Sequence, residues 1–200
     1  MRKLLVATTN PKKLTELQTL LSDLQFQLVC LNDLKEYKEV PEDGKTFSEN
    51  AALKAMGYAG QSSLLTIAED SGLCVDALES APGVFSARFA GAAKKDEDNN
   101  RKLLKLLEKV PDNCRSAHFT SVVAIAESGH LIGIAEGEVH GVIYHEARGQ
   151  NGFGYDPVFF YPPFGKTFGE VSAGEKHRVS HRAKALEKMK EILKNYLIKK

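Results

Sequence analysis

The sequence predicts an α/β fold with a mixed β-sheet, and three observations support this. Short apolar segments with the composition of buried strands alternate with amphipathic helical segments in the first half of the chain. Two longer strand-like segments, 115–126 and 131–139, follow and are joined by ESGH, which indicates a hairpin. The 200 residues, of which 42% are apolar, suffice for one substantial core. We therefore expect residues 1–200 to form a single domain.

The N-terminal segment predicts a strand and then a helix. Residues 3–8 read KLLVAT, which is typical of a buried strand, and four leucines recur at helical spacing between residues 14 and 24. Asn10 is a natural N-cap and Pro11 a natural first residue of that helix. The junction TTN therefore presents free backbone N–H groups that favour an anion, with Lys12 and Lys13 beside them. The alternative is an ordinary capped helix with solvated lysines, which would have the same sequence.

The central segments continue the alternation of strands and helices. Residues 26–31 (FQLVCL) predict a second strand, which an exposed acidic loop follows. Thr46 and Glu49 form a capping-box pattern that opens the helix FSENAALKAMGYAG. Residues 64–68 (LLTIA) predict the next strand.

The remaining elements lie in the second half of the chain. A helix is expected over 96–110 and is ended by Pro111. The segment GQNGFGYDP, residues 149–157, reads as a glycine-rich loop between strands. Residues 179–197 predict a terminal amphipathic helix.

Glu69 and Asp70, at the end of the strand 64–68, are the first candidates for chemistry. An ionised acid beside a core is costly unless it is solvated or holds a cation. In open α/β sheets, ligands gather beyond the carboxyl ends of strands. Two carboxylates there, with others in the loop around Glu42, suit Mg²⁺, which takes one or two carboxylates plus substrate phosphates. A solvated acidic turn is the alternative.

The loop FGYDP, residues 153–157, is the second candidate, because it combines two aromatic rings, flexible glycine neighbours and a carboxylate. Aromatic faces bind nucleobases by stacking, although aromatic residues in loops also serve ordinary packing. The anion-binding turn TTNPKK and a metal site at the same edge of the sheet together imply that the ligand is a polyphosphate.

Charge and composition exclude several classes of protein. The 27 basic and 26 acidic residues give a formal charge of +1, so no global field favours nucleic acid or an acidic membrane. No segment approaches the length of a membrane span, and the N-terminus is not a secretion signal. Cys30, Cys74 and Cys114 lack CxxC spacing, which favours reduced thiols. We expect a soluble, cytoplasmic protein with a small charged partner, no nucleic acid and no membrane.

Five motifs, in order along nearly the whole chain, resemble one family. They are TTNPKK, EDGKTFSENAALKA, AEDSGLCVDALESAPGVFSARFAG, FGYDPVF and EKHRVSHRAKAL. The chain resembles the inosine triphosphate pyrophosphatase family, bacterial-type enzymes that hydrolyse dITP, ITP and XTP to the monophosphate and pyrophosphate. The resemblance implies a two-lobed fold with an elongated, mixed central β-sheet flanked by helices, and an active-site cleft between the lobes. It also implies a homodimer with one or more Mg²⁺ ions per subunit.

The resemblance assigns roles to individual residues. Asp70 would be the general base, Lys13 the charged catalytic contact to the phosphates, and Glu42 with Asp70 the Mg²⁺ ligands. It leaves open whether Glu69 ligates the metal directly. Phe153 would stack on the purine. The substrate-binding residues that it implies are Thr8, Thr9, Asn10, Pro11, Lys12, Lys13, Ser71, Phe153, Gly154, Tyr155, Asp156, Lys176, His181 and Arg182.

The resemblance also implies a mechanism and suggests a basis for selectivity. Asp70 would take a proton from water attacking the α-phosphorus, and pyrophosphate would leave. A fixed donor such as Arg182 or a neighbouring backbone N–H would pair with the 6-oxo group of hypoxanthine and be left unpaired by adenine. Thr9 stands where many relatives have glycine and Tyr155 where some have tryptophan, which leaves base preference more open than catalysis.

Two alternatives remain at this point. One is a related pyrophosphatase that acts on modified or pyrimidine nucleotides. The other is a nucleotide-binding module without turnover, which would bind ITP but release no Mg²⁺-dependent product.

Overall fold

Seven strands form one sheet in the order β2-β1-β3-β4-β5-β6-β7 within the computed structural model, which describes residues 2–93 and 95–198. The strands are β1 (Arg2–Val6), β2 (Phe26–Cys30), β3 (Leu65–Val75), β4 (Ser116–Glu127), β5 (His130–Ile143), β6 (Phe159–Tyr161) and β7 (Lys166–Thr167). The helices are α1 (Pro11–Leu20), α2 (Phe47–Ser62), α3 (Asp96–Leu106), α4 (Ala173–His177) and α5 (His181–Ile198). None of these helices is long and apolar enough to cross a membrane.

The sheet is mixed, as the sequence predicted. β1 pairs in parallel with β2 and with β3, so that Val6 lies opposite both Cys30 and Ile67. β5 pairs antiparallel with β6, and β6 with β7. Only Ser128 and Gly129 separate β4 from β5; both have positive φ, as a tight hairpin turn requires. The predicted α/β class with a mixed sheet is confirmed.

The first two helices begin where the sequence predicts. The Asn10 side chain accepts hydrogen bonds from the backbone N–H groups of Lys12 and Lys13, and Pro11 is the first helical residue of α1. At α2, the Thr46 hydroxyl accepts from the Glu49 N–H while the Glu49 carboxylate accepts from the Thr46 N–H. These caps fix the entry of the chain into both helices.

The chain divides into two compact units, and neither is a single stretch of sequence. The first comprises Met1–Asp70, Ser121–Gly137 and Arg182–Lys200. The second comprises Ser71–Thr120 and Glu138–His181. The expectation of one domain over residues 1–200, with a cleft between two lobes, stays a prediction.

The first unit has helices on both faces of its strands. Leu4 and Val6 of β1 belong to one buried cluster with residues of α1 and α5. Their neighbour Leu5 and the following Ala7 belong to a second cluster with residues of α2. Because successive residues of a strand point to opposite faces, each helix layer covers its own face of the sheet.

The second unit has a core rich in aromatic side chains. Phe119, Phe159 and Phe168 pack with ring centroids 4.6 to 6.4 Å apart. Leu103 and Leu107, from α3 and the turn that follows it, are fully buried in the same cluster. Tyr155 also belongs to this cluster, which places one of the predicted site residues in the core.

The structure shifts several predicted boundaries, among them the end of β5, which lies at Ile143 and not at 139, and three shifts have an identifiable cause. β3 does not end at Ala68 but continues through Glu69 and Asp70 to Val75, because those acids find buried partners and need not lie in solvent. α3 ends at Leu106, before the expected residue 110, and the chain continues in a tighter turn in which Glu108 N–H bonds to Lys105 and Val110 N–H to Leu107. α5 begins at His181 and not at residue 179, because the backbone N–H of Ser180 still bonds to Lys176 of α4.

Candidate active site

The turn between β1 and α1 carries the first group of predicted site residues. Asn10 bonds through its side chain to two backbone N–H groups of α1, and its own N–H donates to the hydroxyl of Thr8 (3.2 Å). Thr9, Pro11 and Lys12 are exposed, whereas Lys13 is half-buried. The turn therefore presents an exposed helix N-terminus, with the amine of Lys13 directed toward the protein.

Glu69 lies at the centre of a buried ionic network. Its Oε1 accepts from the Ser121 hydroxyl (2.7 Å) and lies 2.9 Å from Nη2 of Arg182. Its Oε2 lies 3.7 Å from Nζ of Lys13. Nη1 of Arg182 donates to a second carboxylate, that of Glu16. The two acids and two bases balance formally, which is the condition for keeping such charges away from water.

Asp70 has different partners. Its Oδ2 accepts from the side-chain amide of Asn50 (3.0 Å), and its Oδ1 lies 4.0 Å from Nζ of Lys54. The same ammonium donates to Oε2 of Glu42 at 3.0 Å. Asn50 and Lys54 are four residues apart on α2 and therefore share one face of that helix. Asp70, Glu42 and Lys54 thus form a second charged cluster.

The alternation of side chains along β3 separates the two acids. Leu65 and Ile67 lie in the cluster of α1 and α5, and Glu69 continues that row toward Arg182. Ala68 lies in the cluster of α2, and Asp70 continues that row toward Asn50. The possibility that Glu69 and Asp70 ligate one ion together, which the sequence left open, therefore finds no support.

Lys13 is electrostatically coupled to both acids. Burial lowers its pKa, against attraction from Glu69, while Lys54 and Arg182 lower it further and Asp70 raises it. β1 ends its pairing with β3 near Ile67, so Glu69 and Asp70 follow directly beyond that end. The predicted proximity of Lys13 and Asp70 is thus consistent with the structure.

The two neighbouring acids have opposite pKa shifts. Burial raises the pKa of Asp70, although Lys54, Lys13 and the Asn50 hydrogen bond act against it. Burial also penalises ionised Glu69, but Arg182 and Lys13 outweigh it and hold the pKa of that carboxyl well below its usual range. Glu69 is therefore a permanent anion. Asp70 is the carboxylate with the greater tendency to accept a proton.

The chemistry of the Asp70 cluster fits a hard divalent cation. Two carboxylates, Glu42 and Asp70, converge on one cationic group, the ammonium of Lys54. No group of three or more His, Cys, Asp or Glu side chains in residues 2–93 and 95–198 is arranged to hold a metal ion. Two protein carboxylates are what Mg²⁺ uses when water and substrate phosphates supply its remaining ligands.

The loop that contains Phe153 carries the second group, which lies in the second unit. Nζ of Lys176 lies 4.9 Å from the centre of the Phe153 ring, in a cation–π contact. The same ammonium donates to Oδ2 of Asp156 (2.6 Å), which also accepts from the Phe153 N–H (2.8 Å). Lys176 and Asp156 are both buried. The ion pair therefore holds the Phe153 backbone through Asp156 and places the Lys176 ammonium against the Phe153 ring.

The other predicted residues of the second unit are mostly enclosed by protein. Tyr155 is buried, and its hydroxyl donates to the carbonyl of Ser86 (2.9 Å). His181 is buried with its ring stacked on Phe119 at 4.8 Å. Ser71 lies half-buried in β3. Phe153 is thus the aromatic side chain of the FGYDP loop that keeps part of its surface exposed.

Arg182 was expected to bind the substrate and to pair with the 6-oxo group of the base. The structure assigns it to the first unit, fully buried, with its guanidinium bound to Glu16 and Glu69. Its role in base selectivity stays a prediction, and the backbone N–H groups named beside it are the other candidate donors.

Sequence reasoning missed several residues that contact the predicted ones. Asn50 and Lys54 hold Asp70, and Glu16 and Ser121 complete the Glu69 network. A signal existed for the first pair, because two polar residues four apart on a predicted helix lie on one face. No local signal links Ser121, 52 residues along the chain, to Glu69.

Comparisons with known proteins converge on one family. The Ham1 family matches residues 4–192. A protein from Desulforamulus reducens named dITP/XTP pyrophosphatase is 49% identical over 196 residues, which cover 98% of each chain. A HAM1 protein structure from Coxiella burnetii has a TM-score of 0.89 at 40% identity, covering 98% of this chain and all of that one.

A second solved structure agrees. It is a nucleoside-triphosphatase, also named dITP/XTP pyrophosphatase, from Mycobacterium abscessus. Its TM-score is 0.78 at 43% identity, and the match covers 94% of this chain and 98% of that one. The family resemblance drawn from the five motifs is confirmed.

Proposed function

The chain belongs to the Ham1 family, and from that premise we propose that it hydrolyses non-standard purine nucleoside triphosphates. The substrates are dITP, ITP and XTP, and the products are the nucleoside monophosphate and pyrophosphate. The reaction would remove such nucleotides from the pool before they are incorporated into DNA or RNA. Relatives with 43% to 49% identity over nearly the full length carry the name dITP/XTP pyrophosphatase, which supports this assignment.

The environment of Asp70 is the observation that carries the proposal. A general base must be held in a fixed position beside polar partners, and Asp70 lies in one cluster with Glu42 and Lys54, where burial raises the pKa of its carboxyl group before any metal ion binds. Asn50 holds Oδ2, which fixes the orientation of the carboxylate. Lys54 stands beside Oδ1 and stabilises the ionised form that must accept the proton.

The proposed step is an in-line displacement at the α-phosphorus. Asp70 takes a proton from water, the water oxygen bonds to the α-phosphorus, and the bond to the bridging oxygen of the β-phosphate breaks. Pyrophosphate leaves with the electron pair of that bond. Positioning and charge stabilisation account for most of the rate of such reactions.

The phosphates would bind at the turn of residues 8–13. The exposed N-terminus of α1 supplies the positive end of a helix dipole, and a phosphate would take the N–H groups of Lys12 and Lys13 in place of the Asn10 side chain that caps them here. Lys13 adds a charge that Glu69 holds in place. Since burial lowers the pKa of Lys13, an incoming polyphosphate would also favour its protonated form.

Glu42 and Asp70 would hold Mg²⁺. When bound, the ion neutralises phosphate charge and lowers the pKa of water. For the ion to enter, the ammonium of Lys54 must move away from at least one carboxylate, and its flexible stem allows this. Lys54 would then be available to a phosphate oxygen.

The purine would stack on Phe153. The ring is partly exposed, Lys176 contacts it through a cation–π interaction, and Asp156 accepts a hydrogen bond from the Phe153 N–H. Base stacking on an aromatic side chain contributes about 1–3 kcal/mol. Discrimination between a 6-oxo and a 6-amino group requires fixed hydrogen-bonding groups at the base, which Arg182 or a neighbouring backbone N–H would supply.

Product identity is the decisive experiment. The protein is incubated with ITP, with and without Mg²⁺, and inosine monophosphate, pyrophosphate and orthophosphate are quantified separately. We expect pyrophosphate and the monophosphate in equal amounts, only with Mg²⁺. Orthophosphate as the first product, or equal rates with ITP, ATP and GTP, would contradict the proposal. A panel that includes modified and pyrimidine triphosphates tests the nearest alternative function.

Two variants test the roles of the acids. Asp70→Asn should retain ITP binding but lose about a hundred-fold or more in kcat if Asp70 is the base. Glu42→Gln should raise the Mg²⁺ concentration needed for half-maximal rate. Asp43→Asn is the matched control, because Asp43 is exposed next to Glu42 and loses the same charge. Tight ITP binding by the wild type without product would instead favour the non-catalytic binding module.

We further propose that the protein is a cytoplasmic homodimer that binds no nucleic acid. The near-zero formal charge supports the last point, because non-specific nucleic-acid binding depends on an excess of basic residues. A salt-sensitive shift of DNA in a gel would contradict it.

A further inference from the structure

Gly154, in the middle of the FGYDP loop, is held by two side chains of α3. Its backbone N–H donates to Oδ2 of Asp96 (2.8 Å), and its carbonyl accepts from Nδ2 of Asn100 (2.9 Å). Asp96 and Asn100 are four residues apart and so project from the same face of the helix. One helix face therefore grips both peptide groups that flank a single glycine.

The two peptide groups held in this way join Gly154 to Phe153 on one side and to Tyr155 on the other. The N–H is part of the peptide bond to Phe153, and the carbonyl is part of the peptide bond to Tyr155. Gly154 has φ +62°, in the left-handed region that favours glycine. A glycine in such a conformation has no side chain to restrict it, so the hydrogen bonds to its two peptide groups define its geometry.

The residues on either side of Gly154 are anchored by other contacts. The hydroxyl of Tyr155 bonds to Ser86, and the N–H of Phe153 bonds to Asp156. These contacts fix the Tyr155 ring in the core and the start of the turn at Phe153. The angle at which the Phe153 ring is presented then depends on the peptide between them, which Asp96 and Asn100 hold.

We propose that Asp96 and Asn100 are positioning residues for recognition of the purine base. The proposal rests on the function proposed above, in which the base stacks on Phe153. Neither side chain need touch the substrate. They act by holding the 153–154 and 154–155 peptide groups, so that the ring and the backbone of this loop meet the base in one orientation.

Burial favours the assignment for Asn100. The residue is 7% exposed, and its Oδ1 has no hydrogen-bond partner among the described residues. Burying an amide oxygen without a partner is unfavourable. Nδ2 of the same amide donates to the Gly154 carbonyl, a hydrogen bond that an apolar residue at this position could not make.

The test compares alanine variants at both positions with a matched control on the same helix. Asp98 is also in the first turn of α3, but it pairs with Arg101 at the surface. Asp98→Ala therefore removes the same charge without touching the loop, and we expect kinetic constants within about twofold of wild type, because exposed ion pairs contribute little. Asp96→Asn keeps an acceptor for the Gly154 N–H and serves as the conservative variant.

We expect Asp96→Ala and Asn100→Ala each to raise KM for ITP roughly tenfold, the effect of losing one buried hydrogen bond. The preference for ITP over ATP should fall in the same variants. Inhibition by inorganic tripolyphosphate, which has no base, should be unchanged. Asp96→Asn should restore most of the affinity for ITP.

Hydrogen exchange supplies a readout that needs no substrate. The Gly154 amide should exchange faster in Asp96→Ala than in wild type or Asp98→Ala. A fall in kcat with KM and the ITP to ATP ratio unchanged would overturn the proposal, since that is the effect of general destabilisation. So would equal weakening of ITP and tripolyphosphate, or variants that match Asp98→Ala.

The controls separate this inference from the proposed function. If the wild type hydrolyses ITP and the variants bind it normally, only the positioning role fails. If the wild type does not hydrolyse ITP, the proposed function fails first. In that case the positioning role fails too unless ITP binding, measured by calorimetry, shows the same difference between Asp96→Ala and Asp98→Ala.

Discussion

Two adjacent residues, Glu69 and Asp70, show how strongly local contacts decide the behaviour of a side chain. Both are carboxylates in one buried strand, and burial acts on both in the same direction. Glu69 is compensated by Arg182 at 2.9 Å and Lys13 at 3.7 Å, whereas the ammonium of Lys54 lies 4.0 Å from Asp70. The first acid is therefore structural. The second is the one for which we propose a chemical role.

This difference predicts opposite effects on stability. Because the pKa of Asp70 is raised by folding, its contribution to stability is fully present below the unfolded pKa of about 3.9 and is lost as pH rises through the folded pKa. Asp70→Asn should therefore raise the melting temperature at pH 7. A gain of about 1 kcal/mol corresponds to roughly 2–4 °C in a protein of this size. The gain should disappear near pH 4, which calorimetry at both pH values will check.

Glu69→Gln is the matched comparison, and we expect it to lower the stability at pH 7, whereas Asp70→Asn raises it. The pKa of Glu69 is lowered by folding, so its contribution is present above the unfolded pKa of about 4.3 and is lost as pH falls through the folded pKa. Removing this charge leaves Arg182 and Lys13 without their shared partner, at a cost of about 3–5 kcal/mol. A Glu69→Gln variant as stable as wild type at pH 7 would contradict this account.

At the scale of the elements, the structure agrees with the sequence-based prediction wherever the signals that start an element lie within the element itself or next to it. α1 begins at Pro11 after the Asn10 cap, and α2 begins after the Thr46–Glu49 box, because these signals act within a few residues. β7 and α4 escaped prediction, and β6 was expected only as a strand without bounds after the glycine-rich loop, since segments of two to five residues show no measurable periodicity.

The extension of β3 beyond Ala68 was missed for a different reason. The letters EDSG are unfavourable for a buried strand, and only tertiary partners make them acceptable there. Those partners, among them Asn50, Ser121 and Arg182, are 20 to more than 100 positions away along the chain. The family motifs assign roles to single residues, and those assignments stay predictions. The contacts that fix those residues were not predictable from the sequence.

The capping box of α2 gives a prediction at this scale. Thr46→Ala removes the oxygen that accepts the Glu49 N–H, and we expect a loss of about 1 kcal/mol in the free energy of unfolding. Thr46→Ser keeps the oxygen and should be close to wild type. Urea unfolding followed by circular dichroism measures both, and equal midpoints for the two variants would rule out the cap as a source of stability.

For the whole molecule, the state of association is the property that remains to be measured. The family resemblance implies a homodimer, and one chain has a mass of 22.0 kDa. Size-exclusion chromatography with light scattering should therefore give twice this mass, independent of Mg²⁺. A mass of one chain at micromolar concentration would show that the proposed dimer does not form.

The alternation along β3 also limits how this protein can change by insertion or deletion. Removing one residue between Leu65 and Ala68 would move Asp70 into the place now taken by Glu69, and Ser71 into that of Asp70. Every amino acid needed for the reaction would still be encoded, but Asp70 would face the α1 and α5 side of the sheet instead of α2. Only insertions or deletions of an even number of residues would keep the side chains of β3 on their present faces. We therefore expect natural or engineered length variation to accumulate in the exposed loops instead.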